Sequence, residues 1–189
     1  GGRVLIDGID VRRWSLDSLR SGIGIVQQDV TLFSGSVTDN IRFFREDIPE
    51  ERVRQACRLV GAEPFIFRLS AGYDTQLSER AATLSAGERQ LLSFARVLVF
   101  DPRILILDEA TASLDSRTEE ILQQAIHRVA AGRTLLVIAH RLATIQEMDR
   151  IVVLEQGTIV ETGRHDELLA RQGQYWQLHQ AGLLLDEAA

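Results

Sequence analysis

Two carboxylates close the apolar run ILILDE at residues 104–109, and a histidine closes a second such run, TLLVIAH at 134–140. An aspartate that follows four aliphatic residues is well placed to hold Mg²⁺ through the ion's water shell, since Mg²⁺ keeps several waters and takes one or two carboxylates from its protein. Glu109 comes next and points to the opposite side of an extended chain. The pair can therefore divide labour, with Asp108 on a metal and Glu109 on a water. The plainer alternative is an acidic pair that ends a strand and caps the next turn, just as His140 alone is compatible with a histidine satisfied inside a turn. A third stretch, LSAGERQ at 84–90, reads as a helix start. Ser85 and Glu88 form the S-x-x-E capping box, in which each side chain satisfies the other's orphan backbone N–H. Gly87 nevertheless stands in the first turn, where glycine costs about 1 kcal/mol relative to alanine. Something must approach that backbone closely, and a helix N-terminus attracts anions.

Elements that would position these groups follow from the apolar pattern. RVLIDG (3–8) is expected to be a short strand ending in a turn, and GIGIVQQD (22–29) a second strand leaving into a loop. Residues 37–70 are expected to be mostly helical: VTDNIRF, then PEERVRQACRLVG opened by Pro49, then AEPFIFRL. Residues 71–83 have turn composition. A helix from about 85 to 99 follows, and its Leu91, Leu92, Phe94, Ala95, Val97, Leu98 and Val99 leave little polar surface, so it should be buried on most sides. RILILDE and RTLLVIAH have the continuous apolar character of strands buried on both faces of a parallel sheet. Between them lies a helix over 116–132 with Ile121, Leu122, Ala125, Ile126 and Val129 on one face, stopped by Gly132. RIVVLEQGTIVETG (150–163) should be two strands joined at Gln156-Gly157, and HDELLARQGQYWQLHQ supplies C-terminal helix. Strand–helix–strand alternation defines an α/β domain with a mainly parallel sheet. Ligands in such sheets bind beyond the carboxyl ends of the strands, where Asp108, Glu109 and His140 fall.

Composition excludes several classes. The chain has 189 residues, 45% of them hydrophobic, with a net charge of −6. That balance argues against a nucleic-acid binder, which is usually basic. No apolar run approaches the ~20 residues of a membrane span. Cys57 is the single cysteine, so an internal disulfide is impossible and the context is expected to be reducing. The sequence contains no lysine.

LSAGERQ, ILILDEATASLD and LLVIAHRLAT, in that order and spacing, resemble the ATP-binding cassette (ABC) ATPase family over essentially the whole chain. The resemblance implies a P-loop NTPase-like α/β fold with a helical signature subdomain. It matches Ser85, Ala86 and Gly87 to the signature motif, Asp108 and Glu109 to Walker B, and Ser113-Leu114-Asp115 to the D-loop. His140 matches the switch histidine and Gln28 the Q-loop glutamine. It further implies ATP and Mg²⁺ as ligands, with Asp108 and Gln28 at the metal, Glu109 polarising the attacking water and His140 at the γ-phosphate. Gln28 would link metal and water to the transport machinery. Ser85, Ala86, Gly87 and Asp115 would meet the ATP held by a second cassette in a head-to-tail dimer. Phosphoryl transfer needs mainly positioning and charge stabilisation, so such a set of polar groups suffices in kind. On this reading the helical subdomain covers about 37–99, the catalytic α/β core about 1–36 and 100–163, and the C-terminal helices 164–189.

Some positions depart from the family's pattern. Ala86 and Glu88 stand where the signature usually has glycine and glutamine, and Ala112 where the D-loop often has serine. The family's P-loop, G-x-x-x-x-G-K-[S/T], has no counterpart in a chain without lysine, so residues 1–189 are expected to be the C-terminal part of a cassette. QQDVTLFSGSVTDNIRF (27–43) is similar to the segment of exporter-type cassettes that meets the coupling helices of a transmembrane domain, with contacts expected at about 28–37. LSAGERQLLSFARVL is especially similar to bacterial multidrug and lipid exporters. The resemblance thus implies an ATPase on the cytoplasmic face of the membrane, tethered through a transmembrane domain. Rival expectations are a non-transport ABC ATPase and a regulatory cassette of low activity in a heterodimeric exporter.

Overall fold

Alternating apolar strands and helices build a three-stranded parallel sheet flanked by helices in the computed structural model, which describes residues 2–27, 30–78, 83–108, 116–138 and 145–186. The backbone forms two compact units, residues 1–138 and 139–189. In chain order the first contains strands β1 (Leu5–Ile6) and β2 (Ile9–Asp10), helix α1 (Leu16–Gly22), strands β3 (Ile23–Val26) and β4 (Gly35–Ser36), and helices α2 (Val37–Arg42), α3 (Glu50–Val60) and α4 (Glu63–Ile66). Strand β5 (Gln76–Leu77), helix α5 (Ala86–Leu98), strand β6 (Ile104–Asp108), helix α6 (Ser116–Ala130) and strand β7 (Thr134–Ile138) complete it.

The sheet has the order β3–β6–β7, with Val26 beside Leu107 and Asp108 beside Ile138. Helix α5 buries Leu91, Leu92, Phe94, Ala95 and Leu98, apolar residues beyond its first turn. It shares one core with Val26, Leu105 and Leu107 of the sheet and with Leu122, Ala125, Ile126 and Val129 of α6. Helices α2 and α3 join that core through Val37, Ile41, Val53, Ala56, Cys57 and Val60. Burial pushes the Cys57 thiol up to about 12, so it is an inert core group and no nucleophile. Helix α3 ends at Gly61, whose φ of 72° lets the Ala62 N–H reach the Cys57 carbonyl at 2.9 Å.

Strand β7 differs from expectation. Its sequence suggests burial on both faces, yet Leu136 is 54% and Ile138 49% exposed, as is Ile25 of β3 at 52%. Leu135 and Val137 pack against the core from the other face. In the described sheet β7 is an outer strand, and its helices cover one face; an apolar run alone does not reveal whether a sheet is covered once or twice.

The second unit holds strands β8 (Ile151–Glu155) and β9 (Thr158–Gly163) with helices α7 (His165–Arg171) and α8 (Gln174–Asp186). Gln156 and Gly157 both have positive φ, 49° and 79°, the requirement of a two-residue type I′ hairpin. The expected C-terminal helix is two helices, broken where Gln172 turns left-handed at φ 53°. Glu161 accepts hydrogen bonds from the Gln174 and Tyr175 N–H groups at 3.2 and 2.8 Å, capping α8. Ile151, Val153, Leu168 and Tyr175 form this unit's own core.

One-sided cover of the sheet has a measurable consequence. Leu107→Ala, at a site 1% exposed, is expected to destabilise the chain by about 2–5 kcal/mol in denaturant titration. Leu136→Ser on the open face is expected to cost less than about 1 kcal/mol, and equal losses would refute the one-sided cover.

Candidate functional site

Asp108 is the last residue of β6 and is exposed at the carboxyl edge of the parallel sheet. The buried Leu105 and Leu107 hold the strand in place, and its alternation turns the terminal carboxylate out of the core. An exposed carboxylate at such an edge suits a cation that retains most of its waters. Glu109, His140, Gln28 and Asp115, with Ala112, Ser113 and Leu114, lie outside the described residues.

The start of α5 is fully described. Ser85 adopts extended φ/ψ of −64° and 163°, and its Oγ accepts the Glu88 N–H at 3.1 Å. Glu88 Oε2 accepts the Ser85 N–H at 3.0 Å, so the capping box read from the sequence is present. The box takes care of Ser85 and Glu88 and leaves the Ala86 and Gly87 N–H groups as the first-turn donors beyond its reach. Ser85 and Ala86 are exposed while Gly87 is buried. This turn of a 13-residue helix offers a hydroxyl, backbone donors and the positive end of the helix dipole, a combination suited to a phosphate oxygen.

Gly87 has a second reason to be glycine. A Cβ built there would fall inside the van der Waals envelope of Thr118 Cγ2, 2.8 Å from Thr118 Cβ and 2.9 Å from its Oγ1. In this structure the close approach to Gly87 is made by helix α6. No local pattern reveals this, because Thr118 is remote in sequence from Gly87.

Glu88, the acidic departure from the signature, is turned back on its own helix, and Arg68 Nη2 lies 3.4 Å from its Oε1. Two further side chains of α5 were not singled out by sequence reasoning. Gln90, 4% exposed, donates to the Gln27 carbonyl at 3.4 Å, next to Gln28. Arg96 reaches the segment that follows, donating to the Thr31 carbonyl at 2.8 Å. Of the pair Leu32-Phe33, Leu32 is a core residue at 2% exposure, leaving Phe33, 40% exposed, as the member available at the surface. Phe33 lies edge-to-face against Phe43 and Phe44, with ring centroids 5.6 and 6.2 Å apart.

Asp108 at the carboxyl edge of a parallel sheet and a capped helix start with first-turn N–H groups beyond the cap are features that suit a nucleotide-binding α/β domain. The ABC transporter family profile matches residues 1–112, and the chain belongs to that family. It is 53% identical over 93% of its length to an uncharacterized ABC transporter ATP-binding protein, YknV, of Bacillus subtilis (strain 168). It is 51% identical over 95% of its length to a probable multidrug resistance ABC transporter ATP-binding/permease protein, YheH, of the same organism. The ATP-dependent lipid A-core flippase of Syntrophus aciditrophicus (strain SB) is 51% identical over 95% of the chain. The chain spans 29%, 27% and 30% of these three relatives. A solved structure of a bacterial Atm1-family ABC exporter with ATP bound superposes with a TM-score of 0.88 at 43% identity, covering 96% of this chain and 32% of that one.

The contact at Gly87 is testable without any ligand. Gly87→Ala should gain about 1 kcal/mol by helix propensity, but overpacking against Thr118 is expected to reverse the sign, for a net loss of about 1–2 kcal/mol in thermal or denaturant unfolding. Thr118→Ala in the same chain should recover part of the loss. A stabilised Gly87→Ala protein would show that α6 does not press on this turn.

Proposed function

We propose that this chain belongs to an ATP-hydrolysing cassette that drives export across a membrane, working head to tail with a second cassette so that each ATP site draws on two chains. The observation that carries the reading is the first turn of α5, in which Ser85 and Ala86 are exposed and Gly87 is buried, in a chain about half identical to a probable multidrug resistance ABC transporter and to a lipid A-core flippase.

The residues present fit ATP and Mg²⁺. Asp108 would hold Mg²⁺ with Gln28, and Ser85 Oγ and the first-turn N–H groups of α5 would receive phosphate oxygens. Mg²⁺ supplies charge neutralisation at the transferring phosphoryl group. Glu109 accepts the proton of a water aligned for attack, and His140 donates to the phosphate, stabilising charge where it develops. Asp115 closes the site from the facing chain. No lysine stands among the 189 residues to supply a phosphate-binding ammonium. On this reading the helical segment of about 37–99 serves as the signature subdomain between core and membrane domain. The exposed Phe33, in the loop that precedes it, meets coupling helices at the cytoplasmic face.

Mixed dimers of the complete transporter test the shared site. Glu109→Gln alone should lower turnover about 10²–10⁴-fold, and Ser85→Ala about 10²–10³-fold if Ser85 serves phosphate. Ser85→Ala on one chain and Glu109→Gln on the other places both lesions in one site and leaves the other whole. Both lesions on one chain damage both sites. The first arrangement should show clearly higher ATPase, given a control showing that one intact site turns over. Equal activities would reduce Ser85 to a helix cap.

The docking assignment has its own test. Phe33→Ala should lower transport and substrate-stimulated ATPase several-fold more than basal ATPase, and equal losses would make Phe33 an ordinary packing residue.

A further inference from the structure

Arg96 lies near the end of α5 remote from Ser85, about 15 Å along the axis at 1.5 Å per residue. Its half-buried guanidinium donates from Nε to the Asn40 carbonyl at 2.8 Å, from Nη2 to Asn40 Oδ1 at 3.0 Å and from Nη1 to the Thr31 carbonyl at 2.8 Å. The same group faces the rings of Phe33 and Phe43, 5.4 and 5.5 Å from their centroids. Asn40, fully buried, bonds both the N–H and the carbonyl of Phe33 at 2.8 Å, and the Ser36 carbonyl at 3.1 Å. Burial lowers the pKa of Arg96, yet a guanidinium remains charged in a protein. Its partners are carbonyl and amide oxygens and two aromatic faces. A hydrophobic side chain would fill the same space without the desolvation penalty of a charge. What it would lack is a planar fork able to grip Thr31 and Asn40 at once while stacking under two rings.

We propose that Arg96 is a positioning residue that couples the exposed aromatic patch of Phe33, Phe43 and Phe44 to the first turn of α5, so that docking on the patch moves Ser85–Gly87 through one rigid helix. The inference rests on the docking role given above to Phe33. Patch and helix would otherwise meet through side-chain packing, which tolerates sliding. Three directed hydrogen bonds from one planar group fix the segment's direction as well as its distance.

The test uses the complete transporter reconstituted in lipid vesicles, comparing basal with substrate-stimulated ATPase and measuring ATP affinity. Arg96→Gln is expected to keep basal ATPase and ATP affinity within about threefold of wild type and to reduce stimulation at least fivefold. Arg96→Lys keeps the charge and one aromatic contact but not the fork. It should lose stimulation as well, and it carries the test if Arg96→Gln does not fold. Combining Arg96→Gln with Phe33→Ala should reduce stimulation no further than the worse single change. Basal and stimulated rates falling in the same ratio, restored stimulation in Arg96→Lys, or additive losses in the double variant would each overturn the coupling role. If Phe33→Ala alone leaves stimulation unchanged while Arg96→Gln abolishes it, the docking assignment fails and not the linkage from Arg96 to α5.

Discussion

Helix α5 is seated through two glycines, neither of which has a positive φ. On β3, a Cβ at Gly24 would overlap Val97 Cγ1 and stand 2.8 Å from Pro102 Cγ. At the helix's own start, a Cβ at Gly87 would overlap Thr118 of α6. Both sites let backbone approach side chain closely, one where the helix meets the sheet and one where it meets α6. Close-packed interiors have little room to absorb displacement and transmit it instead. A helix fixed near both ends, with Leu92, Phe94 and Ala95 fully buried between them, behaves as a single rod. Whatever holds its far end therefore bears on the orientation of the Ser85 hydroxyl.

The far end is held by polar groups because the segment it meets has almost no regular structure. Residues 30–34 run between β3 and β4 outside any helix or strand, yet Leu32 is in the core. Backbone groups carried inward need partners, and Asn40 provides them for Phe33, acting as a detached piece of backbone. Arg96 then completes the set by binding Asn40 and Thr31. A buried network of this kind is rigid only when every member is satisfied. Here the network also explains why three phenylalanines can remain half exposed together. Phe33 and Phe43 lie over a charge that the core cannot surround, and Phe44 packs against Phe33.

Much of this was legible in the sequence, for physical reasons. The S-x-x-E box at 85–88, the I′ hairpin at Gln156-Gly157 and the apolar strand that ends in Asp108 are local patterns, and local patterns survive without tertiary information. What escaped reading depends on partners remote in sequence. The close contact between Gly87 and Thr118, the grip of Arg96 on Thr31 and Asn40, and the burial of Leu32 beside an exposed Phe33 all arise when separate segments meet. The exposed face of β7 escaped for another reason. Leu136 and Ile138 are as apolar as Leu105 and Leu107, and composition cannot tell which strand face a helix will cover.

Glu88 shows how a departure from a family's usual residue can be accommodated locally. Glutamine and glutamate both complete a capping box, so the cap does not demand the charge. The negative charge is favoured by the helix dipole but opposes an incoming phosphate. Two features reduce that opposition. The carboxylate is directed at the Ser85 N–H and away from the Ala86 and Gly87 donors, and Arg68 stands 3.4 Å from its other oxygen. Arg68 is exposed, so the pair contributes little to stability, and its positive charge offsets part of the carboxylate's. On the reading proposed above, the donors that this turn offers a phosphate are unchanged by the acidic residue. Those remain the hydroxyl and backbone N–H groups that a neutral cap would present.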